Sequence, residues 1–293
     1  MATTLYFTDT LSALSISGYV VRTLSFERGS GVVTKTQDTS AVDAYVYDTG
    51  TTPLAFAVRV EGLTTTAAAY THNEWGYESS AYANFTNCWG TLYSYTDAGT
   101  LVTDICYNTS GDTAEYGTSP AVRTNSTTTH NSRGVDTGQW LVYIPRHHEI
   151  ADTGLWGYTL GFSYNGTGAA ADGDAYIVCP DTIVAYVDPP AWTTPADTDA
   201  MDASPELKFT IPYSAATQHF WLQLDTAASF DTGALRTCRS DTGDPGWTYY
   251  NGADWVAVPA KGVATAYIGN EARYIPPTPL ATGTWYRRVK AGS

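Results

Sequence analysis

The triplet Asp48-Thr49-Gly50 follows Val46 and Tyr47, and the same triplet, Asp231-Thr232-Gly233, follows Phe230 much later in the chain. Two carboxylates held together share one proton, because two like charges at close range do not both stay ionised, and such a pair serves as acid and base in hydrolysis. The triplet also begins at Asp136, Asp152 and Asp241. Five copies are what turn chemistry produces in a chain rich in Asp, Thr and Gly. Asp48 and Asp231 are therefore read as structural.

The pattern resembles that of aspartic proteases, where Gly is usually followed by Ser or Thr. Ala234 stands there instead, which departs from that family. Other reactive side chains are scattered. His147, His148 and Glu149 are consecutive, and neighbouring residues of a strand point to opposite faces, so one ion would rarely take both imidazoles. His72, Glu74 and Glu78 lie among Trp75 and Tyr77 without a repeated ligand spacing. No nucleophile elbow, phosphate-cradling loop or metalloprotease helix is present. The reading is of a chain with no catalytic residue, metal or cofactor.

Nine Trp and 22 Tyr raise binding instead, since an exposed aromatic ring offers a sugar a flat apolar face. Trp156, Tyr158, Tyr164, Trp221 and Trp255 fall in strand-like runs and read as core. Trp75, Tyr77 and Tyr82 sit in a Glu-, Ser- and Asn-rich stretch that reads as loop, and they are the candidate glycan or contact aromatics.

The elements that must carry these residues are strands. Thr, Ala, Gly, Asp and Tyr dominate, charged residues make up 15%, and strong helix formers are scarce. Fifteen basic against 29 acidic residues give a formal charge of −14, which opposes nucleic acid and anionic membranes. The start lacks the basic and apolar character of a cleaved signal, and no apolar run reaches the roughly 18 residues of a membrane span. Asn84, Asn108, Asn125 and Asn165 match the glycosylation acceptor pattern, which a Thr-rich chain without a signal produces by chance.

Alternation with period two marks Tyr158 to Tyr164 and Leu54 to Val60, and more loosely Ala44 to Asp48, Gln139 to Ile144 and Ala175 to Cys179. Residues 112–138 are polar and read as a long exposed loop. Between Cys88 and Cys106, Gly99 predicts a three-residue hairpin loop pairing Thr96 with Thr100. That register sets Trp89, Tyr93 and Tyr95 opposite Tyr107, Thr103 and Leu101, and leaves the two cysteines diagonal, which favours free thiols. Four prolines and four aspartates within 187–205 exclude a central strand. The expected organisation is all-β: an N-terminal β-sandwich or jelly-roll-like domain over 1–188, a Pro/Asp-rich linker over 189–204, and a second sandwich over 205–293.

In the last part, Leu280, Gly283, Thr284, Trp285, Tyr286, Val289 and Ala291 resemble the corner and sixth strand of a fibronectin type III domain. Residues 220–225 are similar to its third strand, and residues 230–235 to the connection that follows. Arg287 departs from the pattern by standing where an apolar residue belongs. Modules with this wording resemble those appended to virion proteins of tailed bacteriophages. The resemblance implies a virion structural protein that works through contacts with other virion proteins and with copies of itself, with a glycan-binding surface module for host attachment as the alternative. After Val289, too few residues follow to run back as a seventh strand. The expectation is an assembly edge at Trp285, Arg287, Arg288, Val289 and Lys290, either charged and solvated or completed by a neighbour's strand.

Overall fold

The computed structural model describes residues 2–38, 43–49, 51–79, 85–107, 116–126, 129–149, 159–168, 173–187, 190–194, 203–214 and 216–292. The chain divides into two compact units, Met1–Val184 and Ala185–Ser293. Each is an all-β, sandwich-like arrangement of sheets, and the helical content among the described residues is one 3-10 turn, Thr265–Tyr267.

The first unit contains β1 (Thr3–Leu11), β2 (Val20–Ser25), β3 (Val33–Asp38), β4 (Asp43–Tyr45), β5 (Tyr47–Thr49), β6 (Thr52–Arg59), β7 (Leu63–Thr64), β8 (Thr71–Glu78), β9 (Phe85–Tyr95), β10 (Leu101–Tyr107), β11 (Ala121–Ser126), β12 (Thr129–His130), β13 (Gly134–Val135), β14 (Trp140–Glu149), β15 (Thr159–Tyr164) and β16 (Tyr176–Cys179). Its main sheet runs β12-β10-β9-β14-β6-β2-β1-β16-β8-β15-β3, with β11 beside β8, β4 beside β14 and β5 beside β6, while β7 and β13 pair separately. Among the described residues, pairing is antiparallel except between β2 and β6.

The core lies where the sheet faces itself. Phe7 of β1 stacks on Phe56 of β6 at 4.6 Å and on Tyr143 of β14 at 5.0 Å, and Phe56 meets Tyr164 of β15 edge-on at 5.1 Å. Alternation in β6 and β15 predicts one buried face, yet Ala55 and Ala57, and Gly161 and Ser163, are buried as well. Small residues on the second face allow close cover from that side and disguise a strand buried on both.

Gly99, at φ +74°, makes the expected hairpin, with Thr96 N–H donating to Thr100 O at 2.9 Å and Tyr95 opposite Leu101. Two register shifts then overturn the rest of the expected pairing. Thr103 faces Ser94, Tyr93 faces Asp104 and Tyr107 faces Thr91, because each bulge inserts a residue on β10 and exchanges its faces. Cys106, Cys179 and Cys238 are free and buried. Residues 112–138, expected as loop, carry β11, β12 and β13. The polar side chains of β11 suit an edge strand with one face in solvent.

The second unit contains β17 (Ala191–Thr194), β18 (Leu207–Thr210), β19 (His219–Asp225), β20 (Arg236–Arg239), β21 (Trp247–Tyr250), β22 (Trp255–Ala257), β23 (Glu271–Tyr274) and β24 (Tyr286–Gly292). One sheet runs β17-β18-β23-β21-β22 and the other β20-β19-β24. Leu207, Phe209, Phe220, Leu222, Leu224, Trp247 and Ala272 fill the core. The segment expected as a linker supplies β17, an edge strand, whose Trp192 packs on Phe209 at 5.8 Å.

Candidate functional site

Strand β8 carries both the titratable residues and the aromatics singled out in the sequence, on opposite faces. Trp75 and Tyr77 lie on a strand and not in a loop, partly buried, with Trp75 between Val122 of β11 and Ser163 of β15, and Tyr77 opposite Gly161. A side chain at Gly161 would overlap the Tyr77 ring, so the glycine makes room for the ring to lie across its neighbour. Tyr82 lies outside the described residues.

The other face of β8 turns His72, Glu74 and Glu78 inward, all at most 2% exposed. His72 Nδ1 is 2.9 Å from the Tyr143 hydroxyl, and that hydroxyl donates to Glu74 Oε1. A hydroxyl has one proton to give, so Tyr143 accepts from His72 Nδ1–H, and Nε2 is left as a buried lone pair with no partner among the described residues. Gly90 of β9 leaves space for the Tyr143 ring, and Gly76 does the same for Tyr116. Arg123, opposite Glu74 in register, holds its guanidinium over the Tyr116 ring at 5.6 Å. Burial pushes Glu74 up to about 8, against the opposing pull of its bond to Tyr143, and burial lowers His72 to about 3. At neutral pH the cluster therefore holds a neutral acid and a neutral imidazole. Enclosed as it is, it locks β8 to β14 and offers no face to a substrate.

The two triplet carboxylates belong to different units and serve local needs. Asp48 accepts Lys35 at 2.9 Å and Arg22 at 3.1 Å. Burial works to raise its pKa, but these two cations outweigh burial and hold the carboxyl below its usual range. Asp231 is exposed and accepts from the Ser229 hydroxyl. The copies at Asp136 and Asp241 form tight turns with Gly138 at φ +85° and Gly243 at φ +75°. The backbones of His147 and His148 pair with β4 and β9; their side chains lie outside the described set.

The five residues expected to form an edge are divided between faces. Trp285 precedes β24, donates Nε1–H to Ala281 O at 2.8 Å and lies 5.6 Å from the Arg236 guanidinium. Arg287 turns inward, where an apolar residue belongs, and its guanidinium covers the Trp192 ring at 4.5 Å. The departure has a physical reason: the planar guanidinium head caps an aromatic face. Val289 packs inward too. Arg288 and Lys290 are exposed on the outer face.

That outer face also holds Trp221, read from the sequence as core. Phe220, Leu222 and Leu224 take the inner positions of β19, so Trp221 and Gln223 point out. The signal was present in the parity of Gln223. Trp221 stands in register between Arg239 of β20 and Lys290 of β24, with the edge of its ring against Gly292, where a side chain would overlap it. Trp255, also read as core, is only partly buried and lies under Arg273 at 4.0 Å.

No protein-family model matches the sequence, and no curated protein matches it. Two solved structures of a CocE/NonD family hydrolase from Staphylococcus aureus are similar at 10% and 11% identity, each with a TM-score of 0.40. The alignments cover 62% and 63% of this chain and 36% and 37% of the hydrolase chain. This chain thus spans little more than a third of the hydrolase, and a likeness so slight carries no statement about activity.

Proposed function

We propose that this protein is a non-enzymatic structural component of a bacteriophage virion, with a jelly-roll-like first unit and a fibronectin type III-like second unit, acting through contacts with other virion proteins and with its own copies. The fibronectin-like reading is supported by the split of the second unit into sheets of five and three strands, with β19 and β24 in the places of the third and sixth strands. The observation that carries the functional reading is the one-sided pairing of β24. Among the described residues it pairs with β19 alone, so its other row of N–H and C=O groups is open to a further strand, whichever chain supplies it. Hydrogen exchange tests this: the amides within 286–290 that point away from β19 should be slow in assembled particles and fast in the isolated protein. Equal exchange in both states rejects the edge as an assembly contact.

A second reading, a surface module that binds host glycans, is favoured by the placement of Trp75 and Tyr77 on one strand face. Two residues apart on a strand, they are spaced by roughly 6.5 Å, on the scale of a sugar ring. Trp75→Ala should abolish retention on host polysaccharide without lowering the melting temperature if this reading holds.

A further inference from the structure

The outer face of β20-β19-β24 combines three features that neither the edge nor the β8 aromatics require. The benzo edge of Trp221 abuts Gly292, where any side chain would overlap it, so the glycine makes room for the indole on this face. Cations flank it: Arg239 lies 5.9 Å from its centroid, and Lys290 is its register partner on β24. Hydrogen-bonding groups continue along the same face, with Gln223 opposite Arg288, and His219 opposite Gly292. Asp241 occupies much of the Arg239 guanidinium, at 3.0 and 2.5 Å. Arg288 gives only Nε–H to Gln223 Oε1, at 2.6 Å, while its guanidinium lies 4.3 Å from the Phe230 ring. Neither Arg288 nor Lys290 has an ion pair among the described residues. In a chain of formal charge −14, two cations without acidic partners beside an aromatic ring are a local reversal of sign.

The geometry points to a binding site for an acidic saccharide on this face. A pyranose ring presents C–H groups to the exposed part of Trp221, its carboxylate meets Lys290, a neighbouring carboxylate meets the remaining N–H groups of Arg288, and its hydroxyls meet Gln223 and His219. A sugar fits better than an extended acidic peptide, because a pyranose brings C–H groups to the indole and carboxylates to the neighbouring cations in one rigid ring, while a peptide would leave the indole uncovered. A nucleic acid is opposed by the overall negative charge, which repels a densely charged chain. This inference does not depend on the β24 edge being used for assembly, and its test leaves that reading untouched.

The test is calorimetric titration of the whole chain with trigalacturonic acid, maltotriose and a tri-glutamate peptide in parallel. Trigalacturonic acid is expected to bind at millimolar concentration or below, with the neutral sugar and the peptide weaker by about tenfold or more. Trp221→Ala, Lys290→Gln and Arg288→Gln should each weaken trigalacturonate by about tenfold. Near-UV circular dichroism establishes that each variant is folded, and Lys290→Gln keeps the test decisive if Trp221→Ala is not. Absence of binding at 10-fold higher ligand, equal binding of maltotriose, equal binding of the peptide, or affinity unmoved by Lys290→Gln would each overturn the proposal.

Discussion

Strands β8 and β19 share a period of two and use it with opposite sign. In β19 the apolar parity, Phe220, Leu222 and Leu224, is inside, while Trp221 and Gln223 face out. In β8 the parity that is buried is His72, Glu74 and Glu78, while Trp75 and Tyr77 lie on the other face. The difference shows that a buried strand face needs satisfied groups and not necessarily apolar ones. In β8 one hydroxyl, that of Tyr143, bonds both His72 and Glu74. Charge has correspondingly different value on the two strands: enclosed and neutralised on the inner face of β8, displayed beside an aromatic ring on the outer face of β19.

The comparison breaks most visibly at Tyr143. Tyr143→Phe keeps the ring but strips both His72 and Glu74 of their shared partner. Two buried groups without partners cost about 2–4 kcal/mol together, read as a loss in the urea unfolding transition of the first unit. Adding His72→Leu and Glu74→Leu to that variant should recover much of the loss, because apolar replacement of a whole buried network is often neutral. If the triple variant is no better than the single one, packing and not polar satisfaction explains the site.

Asp48→Asn comes next. It leaves Lys35 and Arg22 facing a neutral amide, and bonds to charged groups are worth about 1.5–3 kcal/mol, so the first unit should lose about 2 kcal/mol. The stability that Asp48 supplies is present above the ordinary carboxylate value and is lost as pH falls through its lowered one. Wild type and Asp48→Asn should therefore converge in strong acid. A constant difference down to pH 2 would mean that the ion pairs contribute little.

The buried network has its own pH signature. Glu74 is raised from 4.5 to about 8, so its contribution is full below 4.5 and falls as pH climbs toward 8. His72 is lowered from 6.5 to about 3, so its contribution is full above 6.5 and falls as pH drops toward 3. The two losses run in opposite directions, and the network's contribution is greatest between about 4.5 and 6.5, declining by about 1–2 kcal/mol at either end. The difference in melting temperature between wild type and the apolar triple variant, followed across pH, isolates this curve. A flat difference would show that neither group changes protonation on unfolding.

Much of the fold was legible because alternation reports which residues share a face. It marked β6, β14, β15 and β16, and Gly99 marked a hairpin. It could not report what covers the second face, so Ala55, Ala57, Gly161 and Ser163 concealed strands buried on both sides. It also failed where a face had reversed chemistry. The rings of β8 were assigned to a loop because their neighbours are charged, and β11 was missed because an edge strand of Thr, Arg, Asn and Ser reads as solvent-facing coil. Trp221 was the opposite error: an aromatic in a strand was taken as core, although Gln223 at the same parity pointed outward. Bulges in β10 have no composition signal, and they undid the register after Leu101.

Arg287 sharpens the comparison from the second unit. Its head covers Trp192, so Arg287→Ala should cost about 1 kcal/mol through the lost cation–π attraction and the lost cover of the ring. Arg287→Met retains the stem and should recover about half. Denaturant unfolding of the second unit separates the two. If Met is as poor as Ala, the charge and not the cover is what matters.

The smallest effect is expected at Asp231, and it bears on the triplet that first suggested chemistry. Asp231 is exposed and accepts one hydroxyl bond, from Ser229, within its own loop. The loop is held by a different carboxylate: Asp225, at 0% exposure, accepts the N–H and hydroxyl of Thr232 and the N–H of Thr226. These bonds hold the Asp225 carboxyl below its ordinary range, against the opposing effect of burial. Asp231→Asn therefore removes a surface acceptor that water replaces, and the unfolding midpoint should stay within the scatter of ordinary surface substitutions. Asp225→Asn in the same loop should lower it measurably, since an amide offers one acceptor oxygen where Thr232 and Thr226 use two. Equal effects at 225 and 231 would mean that the loop is held by the triplet itself, and the view of Asp231 as an ordinary turn residue would fail.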